Sequence, residues 1–260
     1  IFIEELADIK DNSRPVIFSA HGVPKSVPEE ANLKKLSFVD ATCPLVSKVH
    51  RESEQLYKKG YDIILIGHDK HPEVIGTTGQ LPKGSIKLVE TIKDVEVLNI
   101  KEFSKPVAYI TQTTLSVDDT AEIIEKLKEK FPDIKQPIKE DICYATTNRQ
   151  AAVKSMTKFC DNILVIGATN SSNSIRLVEV ARVNGVKNSF LISDENDLNN
   201  FLKKYNCTKS PNIGLTAGAS APETLVQVLI SKLKKDFEVN LIEHEVTKEN
   251  IFFNLPKILR

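Results

Sequence analysis

Two histidines and a glutamate fall within six residues in HDKHPEVIGTTGQ at 68–80, directly after the apolar run DIILIG at 62–67. His71 can donate a hydrogen bond to an anion and Glu73 can carry a proton, so one strand end holds acid–base equipment. One hundred positions later, NILVIG at 162–167 runs into ATNSSNS. There Ser171, Ser172 and Asn173 read as a helix start whose hydroxyl and amide groups suit phosphate oxygens. Other apolar runs also end in polar tips: His21 in VIFSAHGV, Thr113 and Thr114 in VAYITQTTLSVDD, and Ser220 in NIGLTAGASAPE. Cys43 in DATCPLVSKVH and Cys143 in EDICYATTNRQ stand 100 residues apart, each nineteen ahead of its strand. Soft thiolates on that spacing point to an iron–sulfur cluster or zinc. Three such thiolates around a cluster leave one iron open, which combines Lewis-acid and redox chemistry.

These tips need a scaffold that gathers them, and the spacing describes one. Each cysteine opens a repeat of about 100 residues. A second strand followed by acids and a helical stretch recurs in IFIEELADI, IKLVETIKDVEVL and SFLISDENDLNNF, and a third strand carries the polar tips. Helical periodicity separates the strands, as in DTAEIIEKLKEKF from Asp119 and APETLVQVLISKLKKDF from Ala221. Alternation of strand and helix predicts parallel α/β units. The domains expected are a remnant of a first unit at 1–42, a second at 43–142, and a third at 143–260 with a C-terminal tail. On this count the leading half of the first unit, with a third cysteine and a further polar tip, falls about fifty to sixty residues before Ile1. Ligands in such sheets sit at the carboxyl ends of strands, and three units about one axis would bring tips and cysteines together.

Composition sets limits on this reading. The 260 residues are 41% hydrophobic and 27% charged, with 35 basic and 35 acidic side chains. No global field draws nucleic acid or an anionic membrane, so a bound phosphate must be held locally. No apolar run is long enough to span a bilayer, and the four cysteines fit a reducing compartment better than a disulfide framework. Cytoplasmic placement is expected, and a plastid transit segment would lie ahead of Ile1. Several groups have plainer readings. Cys160 reads as core, Cys207 as an incidental loop residue, His50 as solvated on a basic helical face, and His68 as part of a turn. His244 has no motif around it.

The strings FSAHGV, DATCPLVSKVH, IGHDKHPEVIGTTGQ, TQTTLSVDDT, DICYATTNRQ, NSSNS and TAGASAPE closely resemble the 4-hydroxy-3-methylbut-2-enyl diphosphate reductases, the LytB family, along the whole chain and in family order. The resemblance implies three similar α/β domains in pseudo-threefold arrangement around a central 4Fe-4S cluster, the first domain incomplete here. It implies reductive dehydroxylation of the allylic diphosphate to isopentenyl and dimethylallyl diphosphates, the last step of the non-mevalonate isoprenoid pathway. Cys43 and Cys143 then match two of three cluster ligands, and His21 and His71 match substrate-binding histidines. Glu73 matches the acid that protonates the departing hydroxyl and later the allyl fragment, with Thr113 as its hydrogen-bonding neighbour. Ser171, Ser172, Asn173 and Ser220 match diphosphate ligands. The electron donor implied is a ferredoxin or flavodoxin.

Two other readings use the same residues. A zinc hydrolase would take His21, Cys43, His71 and Cys143 as ligands, and iron with acid-labile sulfide would exclude it. A non-catalytic phosphate-binding module would use the serine tips and leave the thiols as packing.

Overall fold

The computed structural model describes residues 1–204, 211–256 and Leu259; Cys207 lies outside the described residues. The strands are β1 (Val16–Phe18), β2 (Phe38–Asp40), β3 (Asp62–Ile66), β4 (Ile86–Val89), β5 (Val107–Thr111), β6 (Asn162–Ile166), β7 (Ser189–Ile192) and β8 (Ile213–Ala217). The helices are α1 (Ser26–Leu33), α2 (Pro44–Lys58), α3 (Pro72–Thr78), α4 (Ile92–Val97), α5 (Val117–Lys130), α6 (Tyr144–Met156), α7 (Ser172–Val183), α8 (Glu195–Lys204) and α9 (Glu223–Asp236). Paired strands are parallel throughout, in sheets ordered β1-β2, β4-β3-β5 and β7-β6-β8. The α/β class with parallel sheets is therefore as expected. The 100-residue sequence repeat appears as the same strand order in the second and third sheets.

By contacts the chain divides into two compact units. One comprises 1–113, 118–141 and 251–260 and holds the first two sheets; the other comprises 114–117 and 142–250 and holds the third. In the first, β3 is central, and Ile63, Ile64, Leu65 and Ile66 are each no more than 1% exposed. Burial on both faces is what a parallel strand between helical layers requires, and it explains the unbroken apolar run. Each such side chain contributes about 1.5–3 kcal/mol of transfer free energy. Val49 and Leu56 of α2 and Val74 of α3 pack on Ile63, Leu65, Ala108 and Ile110. In the second unit, Val153, Met156 and Leu177 pack with Ile163 and Val165 of β6, while Leu198, Phe201 and Leu229 pack with Leu164 and Ile166.

One expected strand is absent. IFIEELADI forms no strand, and its only regular piece is a 3-10 turn at Leu6–Asp8. A strand needs a neighbour to take its N–H and C=O groups, and β1 pairs instead with β2, in the register Val16↔Phe38. Phe18 stacks on Phe38 with centroids 4.7 Å apart, and Leu6 joins Phe18, Ala31 and Leu36 beneath them.

In the order β4-β3-β5 the chain moves from β3 to one side and returns to the other, so the connections diverge at the carboxyl ends of β3 and β5. A crevice opens at such a switch point. The order β7-β6-β8 repeats it between β6 and β8. Among the described residues, no helix is long and apolar enough to cross a membrane.

Candidate active site

The crevice at β3 and β5 holds Glu73. Helix α3 starts after β3 with His71 as N-cap and Pro72 in its first turn, where proline's missing N–H costs nothing. His71 Nδ1 accepts the Glu73 N–H at 3.1 Å. That bond places the imidazole proton on Nε2, leaving an Nε2–H donor. Burial, together with the nearby His21 and His68, pushes the His71 pKa down to about 4. In the ligand-free protein His71 is thus a neutral donor, not the charge-assisted one that an isolated imidazole suggests. Glu73 is 1% exposed. Its Oε1 accepts the Thr113 N–H at 2.6 Å, and its Oε2 accepts the Thr113 hydroxyl at 3.1 Å. Burial raises the Glu73 pKa to about 7 against the lowering effect of both Thr113 bonds, with a smaller upward push from Asp141. A carboxyl in this state holds and releases a proton near neutral pH, the condition for a general acid.

His21 reaches the same crevice from the turn after β1. Its ring lies edge-on to that of His71 with centroids 5.6 Å apart, and burial lowers its pKa. Small residues make this approach possible. A Cβ on Gly76 would lie 3.0 Å from the carbonyl carbon and oxygen of Gly22, and one on Gly79 would collide with Pro24. Gln80 then ties α3 to the turn, its Nε2 donating to the Val23 carbonyl at 2.9 Å and the Gly76 carbonyl at 2.8 Å. Gly22 itself has φ +79°, in the left-handed region that favours glycine. The Cys43 loop hangs on the same turn, with the Cys43 N–H donating to the Ala20 carbonyl at 3.0 Å.

In the second unit, Ser171 is the N-cap of α7 and accepts the Ser174 N–H at 3.4 Å. Ser172 and Ser171 are half-buried, and Ser220 is exposed in the turn after β8. Asn173 is 5% exposed, and among the described residues neither of its amide atoms has a hydrogen-bond partner. Asn173 occupies the place in its repeat that Glu73 occupies 100 residues earlier. A buried amide left unpaired costs about 1–3 kcal/mol, and a ligand with acceptor oxygens would recover it.

Cys43 and Cys143 are free, half-buried thiols, the N-caps of α2 and α6. Cys143 Sγ lies 3.1 Å from Thr146 Oγ1. Helix starts favour negative charge, which suits an anionic ligand set. Among the described residues, however, no three His, Cys, Asp or Glu side chains are grouped to hold a metal ion. Each of the two thiols is a soft donor of the kind that iron–sulfur clusters take.

Some residues that shape the site escaped the sequence reading. His50 is not solvated: it packs beneath Gly22, its Nε2 is buried and has no hydrogen-bond partner among the described residues, and burial lowers its pKa against Asp40 and Glu54. Gln112 is buried and its Oε1 accepts the His68 N–H at 3.0 Å, bracing the β3 loop. Ser174, fully buried, fills the gap left by Gly167 and Gly218 and donates to Ser171 Oγ at 3.0 Å. His244 is held by Ser155 Oγ at 2.9 Å and Phe159. Cys160 packs partly buried against the third sheet's core, as expected.

The sequence profile described as LytB protein matches residues 1–234. The 4-hydroxy-3-methylbut-2-enyl diphosphate reductase 2 of Rhodopseudomonas palustris is 50% identical over 260 residues, covering all of this chain and 80% of the relative. The corresponding reductase of Hyphomonas neptunium is 52% identical over 259 residues, with the same coverage. Among solved structures, the E-1-hydroxy-2-methyl-but-2-enyl-4-diphosphate reductase from Plasmodium falciparum is similar with a TM-score of 0.90 and 42% identity, covering all of this chain and 80% of that one.

Proposed function

Because the chain belongs to the LytB protein family, we propose that it is a reductase of the non-mevalonate isoprenoid pathway acting on 4-hydroxy-3-methylbut-2-enyl diphosphate. The reaction takes up two electrons and two protons, breaks the allylic C–O bond, and releases water with isopentenyl or dimethylallyl diphosphate. The observation that carries the residue assignment is Glu73, a buried carboxyl with its pKa at about 7, bonded to Thr113 and beside His71. A 4Fe-4S cluster, with Cys43 and Cys143 as two of its thiolate ligands, supplies Lewis-acid and electron-transfer chemistry when bound.

The chain's own residues do the rest. Glu73 holds a proton in a water-poor crevice and gives it to the departing hydroxyl, while Thr113 fixes the carboxyl's orientation through two bonds. His71, its Nδ1 engaged, and His21 bind substrate through ring N–H groups. Ser171, Ser172, Asn173 and Ser220 bind the diphosphate; the unpaired Asn173 amide supports this role. The common order of the second and third sheets and the 100-residue repeat support domains meeting at 42/43 and 142/143, arranged about a pseudo-threefold axis. Electrons come from a ferredoxin or flavodoxin.

The test is to load the protein anaerobically with iron and sulfide, add the allylic diphosphate and a chemical reductant, and analyse the products. Isopentenyl and dimethylallyl diphosphates are expected. Phosphate release without reduction would indicate the hydrolase reading, and tight binding with no product the binding module; either overturns the assignment.

A further inference from the structure

The outer edge of β5 presents backbone donors at Tyr109 and Thr111, about 7 Å apart, and the turn after the strand presents another at Thr113. Tyr109 N–H donates to the Lys135 carbonyl at 3.1 Å. Thr111 N–H donates to Asp141 Oδ2 at 2.9 Å, and Thr113 N–H to Glu73 Oε1 at 2.6 Å. Two buried carboxylates therefore take backbone N–H groups two residues apart, Asp141 at the last residue of β5 and Glu73 in the turn that follows, and their surroundings differ. Asp141, whose side chain is 0% exposed, has its Oδ1 2.8 Å from Lys48 Nζ. Lys48 Nζ also donates to the carbonyls of Lys139 at 2.5 Å and Glu140 at 3.1 Å, so the pair clamps α2 to the segment leading to α6 and to the end of β5. The Glu73 carboxyl is bonded to Thr113, and among the described residues it forms no ion pair.

Resting on the reading of Glu73 as proton donor, we propose that Asp141 and Lys48 are positioning residues for the Glu73 carboxyl, acting through the end of β5 and the turn that follows it. The pair holds Thr111 in place, and with it the Thr113 N–H and hydroxyl two residues on. It also sets the local charge. An unneutralised Asp141 disfavours ionised Glu73, whereas an unpaired Lys48 favours it. The other ionisable groups around Glu73 are His71 on its own helix, His21 and His68 facing His71, and Glu52 3.8 Å from Lys48.

The test is the midpoint of Glu73 protonation in the cluster-loaded protein, read from its carboxyl band in infrared difference spectra from pH 5 to 9. Glu73→Gln identifies the band, and no turnover is needed. Asp141→Asn should move the midpoint down and Lys48→Met should move it up, each by about one unit, the scale of one charge gained or lost a strand step away. The acidic limb of the kcat/KM profile should follow, and Lys48→Arg, which keeps the pair, should restore the parent midpoint. If Asp141→Asn does not fold, the two lysine variants carry the test. A packing role alone would admit water in both variants and lower both midpoints; shifts of the same sign, or none, overturn the proposal. Opposite shifts with normal turnover in Glu73→Gln would instead refute the donor reading and leave the positioning intact.

Discussion

Replacing Glu73 by Gln should change how stability depends on pH, by an amount the structure sets. Folding raises the Glu73 pKa from 4.5 to about 7, chiefly by burial. Between those values the folded chain keeps its proton while the unfolded chain releases it, so stability falls as pH rises across the window. The contribution is fully present below pH 4.5 and lost above pH 7. At 1.36 kcal/mol per unit, the loss is about 3 kcal/mol. Gln keeps the size and hydrogen-bonding capacity of the side chain and has nothing to ionise. His71 works in the opposite sense: its pKa falls from 6.5 to about 4, so its contribution is present above pH 6.5 and lost toward pH 4. That slope is common to both proteins and drops out of their difference. Urea unfolding followed by circular dichroism at pH 5, 6, 7 and 8 should show the Gln variant gaining about 3 kcal/mol on the parent between the ends of the range. Curves that stay parallel would refute the account of a buried, protonated Glu73.

Other residues give further outcomes. Asn173→Ala removes an unpaired buried amide and should stabilise the free protein by about 1 kcal/mol while weakening diphosphate binding tenfold or more, by calorimetry. Gly76→Ala drives a Cβ onto the Gly22 backbone; it should cost about 1–3 kcal/mol in denaturant unfolding and weaken substrate binding as the His21 turn shifts. Cys43→Ser and Cys143→Ser should each lower the iron and sulfide retained after anaerobic loading, whereas Cys160→Ser should leave it unchanged.

The strands at the centre of each sheet were legible because burial on both faces leaves an unbroken apolar run, as in DIILIG and NILVIG. The polar tips were legible as motifs, and the repeat showed which tips correspond. The strand β2 was not: three residues inside SFVDATC are too few to show a period, and IFIEELADI looked more strand-like. Motifs also could not report burial. HPE does not reveal that Glu73 is sealed from water, because the seal is Thr113, forty residues away. His50 looked solvated because its helix face is basic, while the group covering it is a glycine turn from another segment. Asp141 lay inside a recognised string, yet its partners Lys48 and Thr111 are brought to it by the fold alone.

The measurement that bears most directly on the central claim is turnover of Glu73→Gln in cluster-loaded protein with a strong chemical reductant, so that electron delivery does not limit. If Glu73 is the proton donor, cluster content and substrate affinity should match the parent while kcat falls by about a hundredfold to ten-thousandfold, the scale of general-acid catalysis. Near-normal turnover with the amide in place would contradict it, and the proton would then have to come from another group.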